Sequence, residues 1–131
     1  MTFEDIKKGE YETVEYKADI PVDRDKYLKT AVAFANGVGG KLIFGIKNNT
    51  WEIIGFSNEE LFVKMDSITS SIYDSCEPKI VPKVDIHDVD GQHIIVVEIS
   101  AGMNKPYYLK ALGVLDGTFI RIAGTTRKAE K

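Results

Sequence analysis

Ala31 to Ile46, AVAFANGVGGKLIFGI, contains two hydrophobic periods joined by a glycine-rich turn. Leu28, Ala31, Val32 and Ala35 fall at i, i+3, i+4 and i+7, which places one apolar stripe on a helix. Asn36-Gly37 can adopt the left-handed conformation that ends such a helix. The period then changes. Leu42, Ile43, Phe44 and Ile46 form a continuous apolar run, the pattern of a central strand covered on both faces. Gly45 within that run signals a bulge or a close backbone approach. Asn36, Gly37, Gly39, Gly40 and Gly45 are therefore read as structural, holding the handover from helix to buried strand.

Working outward, 131 residues with 44% hydrophobic content suffice for one domain with its own core, assigned to residues 1–131. Cys76 is the only cysteine, so no intrachain disulfide and no cysteine-rich zinc site is expected. With no signal peptide the expected compartment is cytoplasmic. No apolar run approaches the length of a bilayer span, so no membrane partner is expected. The net charge of −3 is unevenly spread: residues 101–131 carry 6 Lys/Arg against 2 Asp/Glu, whereas residues 1–100 carry 11 against 18. That basic end suits a nucleic acid, or is simply a solvated surface.

In chain order, residues 11–18 alternate as a half-buried strand, with Glu12, Val14, Tyr16 and Ala18 on one side and Thr13, Glu15 and Lys17 on the other. Asp23 or Asp25 is placed to cap a helix beginning near Lys26. After the helix and strand already described, Asn48-Asn49-Thr50 turns the chain, and Trp51 to Phe56 is predicted to pair with the preceding strand as a hairpin. Ser57 and Glu60 have capping-box spacing. Leu61, Met65, Ile68 and Ile72 form the stripe of a second helix that stops at Glu77-Pro78. Residues 79–88 alternate, with Pro82 marking an edge or irregular start. Asp90-Gly91 is a hairpin turn, and His93 to Ile99 reads as an inner strand. Tyr107 to Leu109 and Thr118 to Ile122 complete about six strands. The expected architecture is α+β, a single mixed sheet with two helices.

Chemistry is sparse. There is no G-x-x-x-x-G-K-[ST] loop, and Gly37 to Gly40 runs from helix to strand, opposite to the order that aims a helix N-terminus at phosphate. Across an Asp90-Gly91 turn Asp88 faces His93, so His87 and His93 leave opposite faces and share no metal. Glu10, Glu12 and Glu15 precede Lys17, and two carboxylates near a lysine make a workable divalent-metal and phosphate site. The same residues also read as solvated charges on an edge strand.

E-Y-E-T-V-E-Y-K at 10–17, A-F-A-N-G-V-G-G-K-L-I-F-G-I at 33–46, Gly55, Pro78, N-K-P-Y-Y-L at 104–109 and I-R-I-A-G-T-T-R-K-A at 120–129 together resemble the Schlafen AlbA-like domain. The specificity lies in the ordered set of blocks. The resemblance implies a DNA-binding, transcriptional-regulator-like or helicase-related protein of which this chain is the N-terminal part. In the Schlafen branch it would imply a Mg- or Mn-dependent RNA or DNA endonuclease, with Glu10 and Glu15 matching the glutamate pair as catalytic candidates. Where that pattern favours a third carboxylate, this sequence has Lys47-Asn48-Asn49, a cation in a ligand's place. Binding without catalysis is therefore expected, with no cofactor. DNA or RNA is the expected partner, through Lys17, Lys47, Lys105, Arg121, Arg127 and Lys128 on phosphates and Tyr107 and Tyr108 stacked on bases. The remaining alternative is a protein-interaction or homodimerisation module.

Overall fold

A computed structural model describes residues 13–21, 23–47 and 50–130. Its elements are β1 (Val14–Lys17), α1 (Asp25–Asn36), β2 (Gly40–Phe44), α2 (Asn58–Ser75), β3 (Cys76–Glu77), β4 (Lys83–Val89), β5 (Gln92–Ile99), β6 (Tyr108–Leu109), α3 (Gly113–Gly117), β7 (Phe119–Ile122) and β8 (Thr125–Lys128). Four strands form a mixed sheet in the order β1-β2-β5-β4, and two ribbons, β3-β6 and β7-β8, stand apart from it. β1 and β2 run parallel because α1 carries the chain back between them, whereas β5 is antiparallel to both β2 and β4. The architecture is α+β.

β2 is an inner strand with two apolar faces, as its unbroken hydrophobic run requires. Leu42 and Phe44 face the larger core with Leu28, Ala31, Val32 and Phe34 of α1, Leu61, Ile68 and Ile72 of α2, and Ile95 and Val97 of β5. Ile43 faces the other way, with Val14, Tyr16, Ile94 and Val96, and Trp51 and Ile53 pack against that smaller cluster. Burial of each such aliphatic or aromatic side chain contributes about 1.5–3 kcal/mol. The start of β2 is tightly constrained. A Cβ on Gly40 would lie 2.7 Å from the Phe34 ring, and one on Gly39, at φ +88°, would lie 2.7 Å from the Ile99 carbonyl oxygen.

The end of α1 differs from expectation. Gly37 has φ −107°, outside the left-handed region, and Gly39 takes the positive φ instead. Asn36 acts through its side chain. Its Oδ1 accepts from Tyr107 N–H at 2.7 Å, and its Nδ2 donates to the carbonyls of Tyr107 and Phe119, each at 2.9 Å. An amide supplies two donors and an acceptor in one plane, so it satisfies both backbones that pass the helix end.

At the start of α1, Asp23 accepts from the Asp25 N–H at 3.1 Å. The capping residues of α2 meet as expected, with Glu60 Oε2 accepting from the Ser57 N–H at 2.9 Å. Asp90-Gly91 is the turn between β4 and β5, both residues at positive φ, and Asp88 lies opposite His93.

Three further expectations are corrected. Trp51 to Phe56 is not a strand: positive φ at Trp51 and Gly55 breaks the extended conformation, leaving isolated bridges from Ile53 to Ile46 and from Phe56 to His93. Both edges of β2 are taken by β1 and β5 instead. β1 is buried on both faces rather than half-buried, since Val14, Glu15 and Tyr16 all lie inside. The end of the chain holds more structure than expected: α3 precedes β7, and β8 pairs with β7 after a turn with Ala123 at φ 52°.

Candidate nucleic-acid interface

Glu15 sits on the helix-facing side of β1, where α1 and the β7-β8 ribbon close over it. Its Oε1 accepts from Arg121 Nη1 at 2.8 Å and its Oε2 from Thr30 Oγ1 at 2.8 Å, with Lys17 Nζ 3.7 Å away. Arg121 also donates to Thr126 Oγ1 at 3.0 Å and to the Val14 carbonyl at 3.2 Å, and its guanidinium lies over the Phe34 ring. Only 2% of the Arg121 side chain is exposed. A buried charge must be paired and hydrogen-bonded, and this one is.

This arrangement corrects two expectations. Arg121 is enclosed and cannot reach a phosphate on the surface. Glu15 is not a solvated edge charge, and both its oxygens are already engaged, so the described residues do not fit a divalent ion there. Glu10 and Glu12 lie outside the described residues. Among the described residues no group of three or more His, Cys, Asp or Glu side chains is placed to hold a metal. Lys47 pairs with Glu52 at 3.3 Å, and the cation at hydrogen-bond distance from Glu15 is Arg121.

The remaining candidates separate by exposure. Tyr107 is buried, its hydroxyl accepting from the Asn104 N–H, so it offers no face for base stacking. Tyr108 is half-buried in β6. Lys105, Arg127 and Lys128 are exposed. Lys105 Nζ donates to the Gly37 carbonyl at 3.2 Å, at the end of α1. Lys128 lies opposite Phe119 across the β7-β8 ribbon and reaches Asp116 at 2.7 Å. Arg127 lies opposite Ile120 on the other face of that ribbon, its Nε on Thr125 Oγ1 at 3.3 Å.

One cation escaped the sequence reading. Lys29 of α1 places its Nζ 5.3 Å from the centre of the Phe119 ring, and Lys128 is the residue paired with Phe119 across the ribbon. Lys29 lies far from the basic C-terminal segment in sequence, and only the packing of α1 on β7 unites them. Asn36, joined to both Tyr107 and Phe119, holds this seam together.

A mixed sheet backed by two helices, with a basic seam where the first helix meets a C-terminal ribbon, defines the class of domain. The Schlafen AlbA_2 family profile matches residues 10–130, and the chain belongs to that family. The fold is similar to that of the N-terminal domain of a RecG-related protein from Nitrosomonas europaea, with a TM-score of 0.65 and 20% identity over 98% of this chain and 90% of that one. It is also similar to the DIP2311 protein of Corynebacterium diphtheriae, with a TM-score of 0.66 and 21% identity over 90% of this chain and 22% of that one. An uncharacterized ATP-binding protein of Ureaplasma parvum, UU034, is 40% identical over 55 residues, which are 41% of this chain and 16% of that protein. The chain thus spans a small part of the Ureaplasma and Corynebacterium proteins. Among the described residues no helix is long and apolar enough to cross a membrane.

Proposed function

We propose that this domain binds nucleic acid through phosphate contacts along the seam between α1 and the β7-β8 ribbon. The observation that carries the reading is Lys29 over the Phe119 ring beside Lys128, the residue paired with Phe119 in the ribbon, with Lys105 at the adjoining helix end. Exposed ammonium groups attract the phosphate backbone whatever the base sequence, and binding releases condensed counterions. The family assignment and the Nitrosomonas neighbour, whose name relates it to the ATP-dependent DNA helicase RecG, support the same reading. Arg127 on the opposite face of the ribbon extends the contact around its edge. Catalysis is not part of the proposal, because Glu15 is committed to Arg121 and Thr30.

The test is a fluorescence-anisotropy titration with labelled single- and double-stranded DNA and RNA at several salt concentrations. Binding should fall steeply with salt. Lys29→Ala and Lys128→Ala should each weaken it across all sequences alike and reduce the salt slope by about 1. No binding at low salt, or binding indifferent to both substitutions, would overturn the reading.

A further inference from the structure

The exposed cations at the seam do not have equivalent partners. Lys29 lies over the Phe119 ring, Lys105 Nζ donates to the Gly37 carbonyl, and Arg127 Nε donates to a threonine hydroxyl, all uncharged groups. Lys128 differs. Its Nζ donates to Asp116 Oδ1 at 2.7 Å, and among the described residues it is the only one of these four cations in an ion pair.

The backbone brings the two side chains together. Gly117, next to Asp116, is buried where a Cβ would lie 2.6 Å from the Leu109 carbonyl oxygen, so the end of α3 fits closely against β6. Ala129, next to Lys128, donates its N–H to the Thr118 carbonyl at 2.9 Å. Carboxylate and ammonium are thus held within reach of one another at the end of the ribbon, while both remain in water, 69% and 53% exposed. A pair in water is weak, because solvent and salt screen it and two side chains must be ordered to form it. It can therefore be exchanged for another anion.

We infer that Asp116 competes with nucleic-acid phosphate for Lys128 and so limits the affinity of the seam, a role that rests on the phosphate-binding reading given above. In the exchange an ammonium hydrogen turns from Asp116 to a phosphate oxygen, and the carboxylate is released to water. No covalent bond changes. The released carboxylate stays beside the bound phosphate, and the two anions repel. If Asp116 instead served to present Lys128 to the ligand, its removal would weaken binding. The sign of the effect separates the two roles.

The test measures the anisotropy of the same labelled DNA and RNA strands and duplexes, at low salt, against four variants. Asp116→Asn should tighten binding about two- to fivefold. The gain should vanish in the double variant Asp116→Asn/Lys128→Ala compared with Lys128→Ala alone, because the competitor acts only through that lysine. Asp90→Asn makes the same change of charge on the β4-β5 turn, where asparagine tolerates the positive φ, and should give no gain. Unchanged or weaker binding by Asp116→Asn would overturn the inference. So would an equal gain in the Lys128→Ala background, which would make Asp116 a general repulsive charge, or an equal gain from Asp90→Asn, which would make net charge the cause. These outcomes leave the nucleic-acid reading standing, whereas a chain that binds no probe in any variant overturns both.

Discussion

Glu15 and Arg121, 106 residues apart, form a buried ion pair whose meaning changes with its surroundings. On an exposed edge such a pair contributes little. Enclosed by Thr30, Thr126 and Phe34, it becomes costly to break, because either partner alone would be a buried, uncompensated charge. Arg121→Ala should destabilise the domain by about 3–5 kcal/mol in urea unfolding, and the double variant Glu15→Leu/Arg121→Met should recover much of that loss. An equal or larger loss in the double variant would show that the pair is not the source. Asn36→Ala should cost about 3 kcal/mol in the same assay by orphaning the backbone groups of Tyr107 and Phe119. Burial pushes the Cys76 thiol up to about 12, so a thiol reagent at mildly alkaline pH should modify it only after unfolding.

At the scale of elements, the handover from α1 to β2 shows how a legible motif can have an unforeseen mechanism. The sequence predicts a left-handed stop at Gly37, whereas the positive φ falls at Gly39 and Gly40 yields its side-chain space to Phe34. Gly40→Val should therefore lower the melting temperature by several degrees, equivalent to about 1–3 kcal/mol, through displacement of that ring. An unchanged melting temperature with lost nucleic-acid binding would instead make the turn a ligand-approach site. The capping residues of α2 were legible because their chemistry is local. The Ser57 backbone N–H, then its hydroxyl, holds the Glu60 carboxyl below its usual value. A carboxyl lowered on folding contributes stability that is present above its unfolded value and is lost as pH falls through the lowered one. Glu60→Gln should flatten that part of the acid limb in melting temperature against pH. The hairpin expected at Trp51 to Phe56 was misread because periodicity does not report positive φ at Trp51, and because β5, distant in sequence, takes the edge of β2.

Across the whole molecule, charge matters by position more than by sum. The chain is acidic overall, and its basic C-terminal segment loses Arg121 to the interior while gaining Lys29 from α1. Raising salt from about 50 to about 200 mM should therefore weaken nucleic-acid binding by only one or two powers of ten, as befits a few phosphate contacts. A loss of many powers would mean a larger footprint than this seam. By itself the sequence determined the α+β class, the buried inner strand, both long helices and the Asp90-Gly91 turn, since each follows from local period, caps or turn chemistry. The ordered blocks also disclosed the family. Only the tertiary structure decided that Glu15 meets Arg121, that Asn36 ties Tyr107 to Phe119, that Lys29 joins Lys128, and that β1 is buried on both faces. Those contacts join residues far apart in the chain. Side-chain type and local spacing carry no information about which distant partner will occupy the opposite wall, and that partner decides whether a charge is a surface contact or part of the core.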